Sequence, residues 1–163
     1  MIMITSNWNT RYELMLKIGL ETGLRVTDIL NLKASDIANG TTQITEKKTG
    51  KNRAINFSNE LMGDMRNHIN NHSLKDDDYI IFSASTRHNK PLSRVRAWQV
   101  MKRVSFRCNE SEIATHSMRK TYARSLYREC KDVLKVQQEL NHKYLSTTLG
   151  YLLDEDALKN LPV

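Results

Sequence analysis

The chain has 163 residues, with 25 Lys and Arg against 18 Asp and Glu, a formal net charge of +7 and 39% hydrophobic residues. That is the length and composition of one ordinary globular domain with a basic surface, which favours a polyanionic partner. No apolar run approaches the ~20 residues of a transmembrane helix, MIMITSNWNT lacks the basic and apolar parts of a signal peptide, and two cysteines, Cys108 and Cys130, make neither a disulfide framework nor a zinc pattern.

In chain order, a first helix is expected after Ser6 or Asn7, with Trp8, Tyr12, Leu14, Met15 and Ile18 at helical spacing and Gly23 at its end. A second helix is expected from Val26 to Leu32. The period then changes. Thr42 to Glu46 and Arg53 to Phe57 read as two arms of a β-hairpin, with a polar, basic tip that contains Gly50. Ser58 can cap a third helix whose inner face carries Leu61, Met62, Met65 and Ile69. The run KDDD reads as a solvated turn rather than an acidic metal site, and YIIFS as a short buried strand.

Ser93 starts a long helix with Val95, Trp98, Met101, Val104 and Cys108 at helical spacing. Another helix is expected from His116 to Cys130, one from Val133 to Leu140 capped by Asp132, and a last one capped by Ser146 that carries Tyr151. The expected fold is mainly α with a small antiparallel β-sheet, in one domain spanning residues 1–163.

THSMRKTYARSLY places His116 and Arg119 three residues apart on a helix, so that both point at one spot. An Arg fork matches phosphate oxygens, and a histidine adds a hydrogen bond or moves a proton. Arg25 stands after a glycine turn at a helix start, where free backbone N–H groups also suit phosphate. Taken singly, each candidate has an ordinary alternative. Arg25 could pair with Asp28 on the surface, Lys48 could be a solvated charge, His142 a core or capping histidine, and Tyr151 a packing residue. Together, two arginines, two histidines, a hairpin lysine and a tyrosine are what phosphodiester attack by a phenol needs. Arginines neutralise the transition state without a metal, and a lysine on a flexible arm can protonate the departing oxygen.

TGLRVTDILNLKASDI, EKKTGK, HSMRKTYA and LNHKYLSTTLGYL occur in this order, with Tyr151 nine residues after His142. In these boxes the chain resembles the tyrosine recombinase family of the phage-integrase type, over roughly residues 10 to 153. The resemblance implies the catalytic-domain fold of that family and site-specific cleavage and rejoining of double-stranded DNA. It implies that Tyr151 is the nucleophile and forms a 3′-phosphotyrosyl link, and that Arg25 and Arg119 hold the non-bridging oxygens. It further implies that Lys48 protonates the leaving 5′ oxygen, that His116 assists proton transfer, that His142 hydrogen-bonds the phosphate and that Asp28 supports the site. It implies no metal and no other cofactor, a homotetramer on DNA for the full-length protein, a monomer for a lone catalytic domain, no membrane, and a bacterial cytoplasm, the chain being bacterial or phage-encoded. An N-terminal core-binding domain, which full integrases carry, is not expected in this sequence. A type IB topoisomerase-like strand transferase and an integrase-derived DNA-binding module without catalysis are the alternatives.

Three departures bear on the site. Asn141 stands where the family usually has a glycine before the second histidine. Gly150 weakens the helix next to Tyr151 and points to a mobile tyrosine segment. Lys47 competes with Lys48 for the acid role, and Tyr122, Tyr127 and Tyr144 are poorer nucleophile candidates.

Overall fold

Leu14, Met15 and Ile18 lie on one face of helix α1 (Thr10–Thr22), and all three are buried. The computed structural model describes residues 10–37, 41–46, 50, 52–85, 88–108 and 116–153. The expected helix start after Ser6 or Asn7, with Trp8, lies outside the described residues, as do Lys47 and Lys48. Gly23 ends α1 in the left-handed region at φ +62°, its N–H bonded to the Gly19 carbonyl at 3.1 Å. Helix α2 is short, Val26–Leu30, with Arg25 as its extended N-cap. It stops before the expected Leu32, whose carbonyl instead accepts from the Ile80 N–H at 3.0 Å.

Strands β1 (Thr41–Thr45) and β2 (Asn52–Asn56) form an antiparallel hairpin, with Thr42 opposite Ile55 and Ile44 opposite Arg53. Each begins and ends one residue earlier than expected. Alternation turns Arg53, Ile55 and Phe57 inward, all buried. Ser58 caps α3 (Asn59–Asn71), its hydroxyl accepting the Leu61 N–H at 3.2 Å. Tyr79–Ser83 is not a strand. Tyr79 and Phe82 make only isolated bridges, to Lys33 and Pro91. Loop backbone on both sides satisfies Ile80 and Ile81 one bond at a time, although both side chains are fully buried.

Helix α4 (Arg94–Cys108) buries Ala97, Val100, Met101 and Val104. Val95 and Trp98, which share the expected spacing, point to solvent at 66% and 49% exposure, and Cys108 is exposed too. The inward stripe is therefore displaced from the one read off the sequence, because the small Ala97 also occupies it. Helix α5 (Ser117–Cys130) packs on α1 so closely that a β-carbon on Gly19 would come within 2.6 Å of Met118 Sδ. Asp132 caps α6 (Val133–Glu139), accepting from the Leu134 and Lys135 N–H groups at 2.9 and 3.1 Å. Helix α7 (Leu145–Leu152) begins one residue before Ser146, so its N-cap is the extended Tyr144, without a side-chain cap.

One large core joins α1, α2, α3, α4, the hairpin and Met118 of α5. A smaller one joins Ala123, Val136 and Leu140, with Tyr122, Tyr151 and Leu152 packed against it. The observed fold is thus mainly helical, with a two-stranded antiparallel sheet. No helix among the described residues is long and apolar enough to cross a membrane.

Candidate active site

Arg119 bridges the two cores. The residue is 1% exposed, and its Nη1 donates to the Gly23 carbonyl at 2.5 Å. Its Nη2 donates to the Leu140 carbonyl. Both acceptors sit at helix C-terminal ends, α1 and α6, where the unpaired carbonyls carry partial negative charge. A guanidinium is therefore well matched to that seam, and two of its five N–H donors are committed to backbone. Burial, and then the charge of Arg25, lower its pKa to about 10, so it stays charged at neutral pH.

Arg25 is half-buried at the start of α2, and its Nη1 donates to Glu46 Oε2. Glu46 thus stands as its ion-pair partner, where the ordinary alternative has Asp28. Asp28 itself is buried, at 3% exposure. His142 is set by the end of α6. Asn141 takes φ +49°, the Asn141 N–H bonds to Gln138 O at 2.9 Å, and the His142 N–H bonds to Gln137 O at 3.0 Å. These two bonds make a Schellman cap, which favours glycine at the left-handed position and tolerates asparagine. A glycine would meet the same backbone need as this Asn141.

The His142 ring meets the Tyr151 ring edge to face, with centroids 4.9 Å apart. Its Nδ1 lies 3.0 Å from Thr148 Oγ1, and Thr148 is fully buried on α7. Burial, then the charges of Arg119 and Arg25, lower the His142 pKa to about 4. Arg124 Nε holds the Tyr151 carbonyl at 3.1 Å, which ties the tyrosine helix to α5. A β-carbon on Gly150 would meet no atom within 4 Å, so this glycine is not required by packing.

The structure thus brings together Arg25, Arg119, His142 and Tyr151. His116 is the N-cap residue of α5 and is exposed, one turn before the buried Arg119, so the expected shared face is shared at the rim only. Among the described residues no group of three or more His, Cys, Asp or Glu side chains could hold a metal ion.

Sequence reasoning missed Glu46 and Arg53. Glu46 is fully buried at the end of β1. Arg53, 9% exposed on β2, donates from Nη2 to the Thr22 carbonyl at 2.9 Å and approaches Glu139 Oε2 at 3.6 Å. Arg53 and Arg119 thus take consecutive carbonyls at the end of α1. A signal was present. In the alternation of the two arms, Glu46 follows Thr42 and Ile44, and Arg53 precedes Ile55 and Phe57, so both charges fall on the inward face.

The model of the phage integrase family matches residues 1–157. A probable integrase/recombinase of Bacillus subtilis, YoeC, is 33% identical over 94% of this chain and 83% of its own length. The tyrosine recombinase XerH of Campylobacter jejuni is 27% identical over 94% of this chain, but the chain spans only 44% of that protein. A crystal structure of XerH bound to palindromic difH substrate, a post-cleavage complex, superposes with a TM-score of 0.76 at 24% identity, covering 97% of this chain and 46% of that one. That likeness establishes the fold. With the family model spanning nearly the whole sequence, this chain belongs to the phage integrase family.

Proposed function

We propose that this chain cleaves and rejoins double-stranded DNA at a specific site, with Tyr151 as nucleophile. The observation that carries the reading is the Tyr151 ring against His142, in a site where Arg119 and Arg25 also act on that histidine. The phenol oxygen attacks the scissile phosphorus, the bond to the 5′ oxygen breaks, and a 3′-phosphotyrosyl link remains. Reversal with a new 5′ hydroxyl rejoins the strand. Covalent capture divides one difficult displacement into two easier ones.

Arg25 and Arg119 neutralise the non-bridging oxygens as charge builds up on them. His142, neutral at pH 7, hydrogen-bonds the phosphate. The exposed His116 assists removal of the phenol proton, and Asp28 steadies the start of α2. Lys48, or Lys47 beside it, gives a proton to the leaving 5′ oxygen. No cofactor enters these steps. DNA binding is supported by the +7 net charge and by the basic, exposed side of α4, where Arg94, Arg96, Lys102, Arg103 and Arg107 face solvent. Such phosphate contacts make affinity strongly salt-dependent. In the reading we propose, this is the catalytic domain of an integrase that assembles as a homotetramer on DNA in the bacterial cytoplasm.

A nicked suicide duplex carrying the recombination site of the chain's own element tests the assignment. The wild-type chain should form a covalent protein–DNA adduct on a denaturing gel, and Tyr151→Phe should form none. Adduct with Tyr151→Phe would move the nucleophile elsewhere. A wild-type chain without adduct would overturn the catalytic reading in favour of a DNA-binding module.

A further inference from the structure

A site that gathers Arg25 and Arg119 beside a neutral His142 needs a counter-charge before any phosphate arrives, because like charges at short range repel. Glu46 supplies one. It is fully buried, accepts from Arg25 Nη1, and its charge also acts on Arg119 and His142. Its backbone has a second task. The Glu46 carbonyl accepts the Gly50 N–H at 2.8 Å, and Lys48 lies between these two residues in the sequence. One residue thus touches the arginine that opens α2 and ties the end of β1 to Gly50.

We propose that Glu46 is a positioning residue for Arg25, giving up anion affinity in exchange for a fixed guanidinium orientation. This rests on reading the site as a phosphate site. A carboxylate beside a guanidinium weakens the pull of that guanidinium on a second anion. The same carboxylate holds Nη1 of the planar guanidinium and so restricts the directions its other donors can take. Removing the charge while keeping the shape therefore separates binding from chemistry. A residue that only holds the fold together would weaken both.

The test compares wild type, Glu46→Gln and Arg25→Gln in two measurements: titration with inorganic phosphate followed by NMR, and the rate of covalent adduct on the nicked duplex. Glu46→Gln should bind inorganic phosphate several-fold more tightly and yet form adduct about tenfold more slowly. Arg25→Gln should lose phosphate binding. A folded Glu46→Gln with unchanged or weaker phosphate binding, or with adduct at the wild-type rate, overturns the proposal. Should Glu46→Gln fail to fold by circular dichroism, Glu46→Asp replaces it. That variant keeps the charge but shortens the reach, so phosphate affinity should match wild type while adduct formation slows. Wild-type values of both, or a loss of both, overturn the proposal. If the wild-type chain forms no adduct at all, the recombinase reading fails separately, and the phosphate titration alone decides the role of Glu46.

Discussion

Replacing Gly23 by alanine probes the point where fold and site share one residue. Gly23 sits at φ +62°, a conformation that costs a residue with a β-carbon ~1–2 kcal/mol. A β-carbon there would stand 2.2 Å from Tyr122 Cδ1 and 2.8 Å from Cγ, both far inside contact distance. Ring and backbone would have to part, and overpacking of this kind costs ~1–3 kcal/mol. The two effects have different causes and add to about 2–5 kcal/mol, a large share of the ~5–15 kcal/mol that holds a domain together.

Urea unfolding of wild type, Gly23→Ala, Tyr122→Ala and the double variant separates them. In the Tyr122→Ala background the steric part should vanish and the backbone part should remain, giving a coupling energy of ~1–3 kcal/mol. A Gly23→Ala cost below about 0.5 kcal/mol would refute the strain argument. An equal cost in both backgrounds would refute the ring contact. Because the Gly23 carbonyl accepts from Arg119 Nη1, the same substitution should also slow adduct formation in the absence of denaturant.

Two further predictions test other joints. Asn141→Gly should leave stability unchanged or slightly raised, while Asn141→Val should lower it by ~1–2 kcal/mol in thermal melts, since a β-branched residue at φ +49° clashes with its own backbone. His68, 5% exposed with Nε2 3.1 Å from the Ile80 carbonyl, has its pKa lowered to about 4, chiefly by burial and then by His72. The unfolded chain then binds the extra proton first, so stability is complete above pH 6.5 and falls as pH drops toward 4, by about 2 kcal/mol after solvent screening is allowed for. Urea midpoints taken across that range should lose the His68 share of the slope in His68→Gln and keep the share of His142, whose pKa is also lowered to about 4. A slope that His68→Gln leaves unchanged would assign it to other groups, such as His72.

The helices were legible in sequence because their apolar spacing and their caps agree. Ser58 and Asp132 cap the helices they were expected to cap, and Gly23 ends α1 for the conformational reason that marks it in the sequence. Tyr79–Ser83 misled because a short apolar run records burial but not pairing. Val95 and Trp98 misled because an apolar residue on a helix need not face inward when Ala97 can line the contact instead. In the site, Arg25, Arg119, His142 and Tyr151, drawn from three separate boxes, stand in one neighbourhood. Glu46 and Arg53 were passed over because strand charges usually read as solvated, although the alternation of the two arms puts both on the inward face.

On the proposed reading, the electrostatics of the site are matched to an incoming phosphate. Burial and the two arginines hold His142 at a pKa of about 4, and Glu46 opposes that lowering. A neutral imidazole has one donor and one acceptor nitrogen. With Nδ1 3.0 Å from Thr148 Oγ1, the tautomer that accepts the threonine hydroxyl at Nδ1 leaves Nε2–H to donate. A donor is what a phosphate oxygen requires. An incoming phosphate also brings negative charge next to Arg25, Arg119 and His142 together. It relieves the repulsion between the arginines and moves the His142 pKa upward, against the direction set by its surroundings. The cost of collecting these groups in a half-buried seam is thus carried by the protein in advance. On the proposed reading it is recovered where charge gathers most, on the non-bridging oxygens at the transition state, and this would make the arrangement more favourable to cleavage than to simple anion binding.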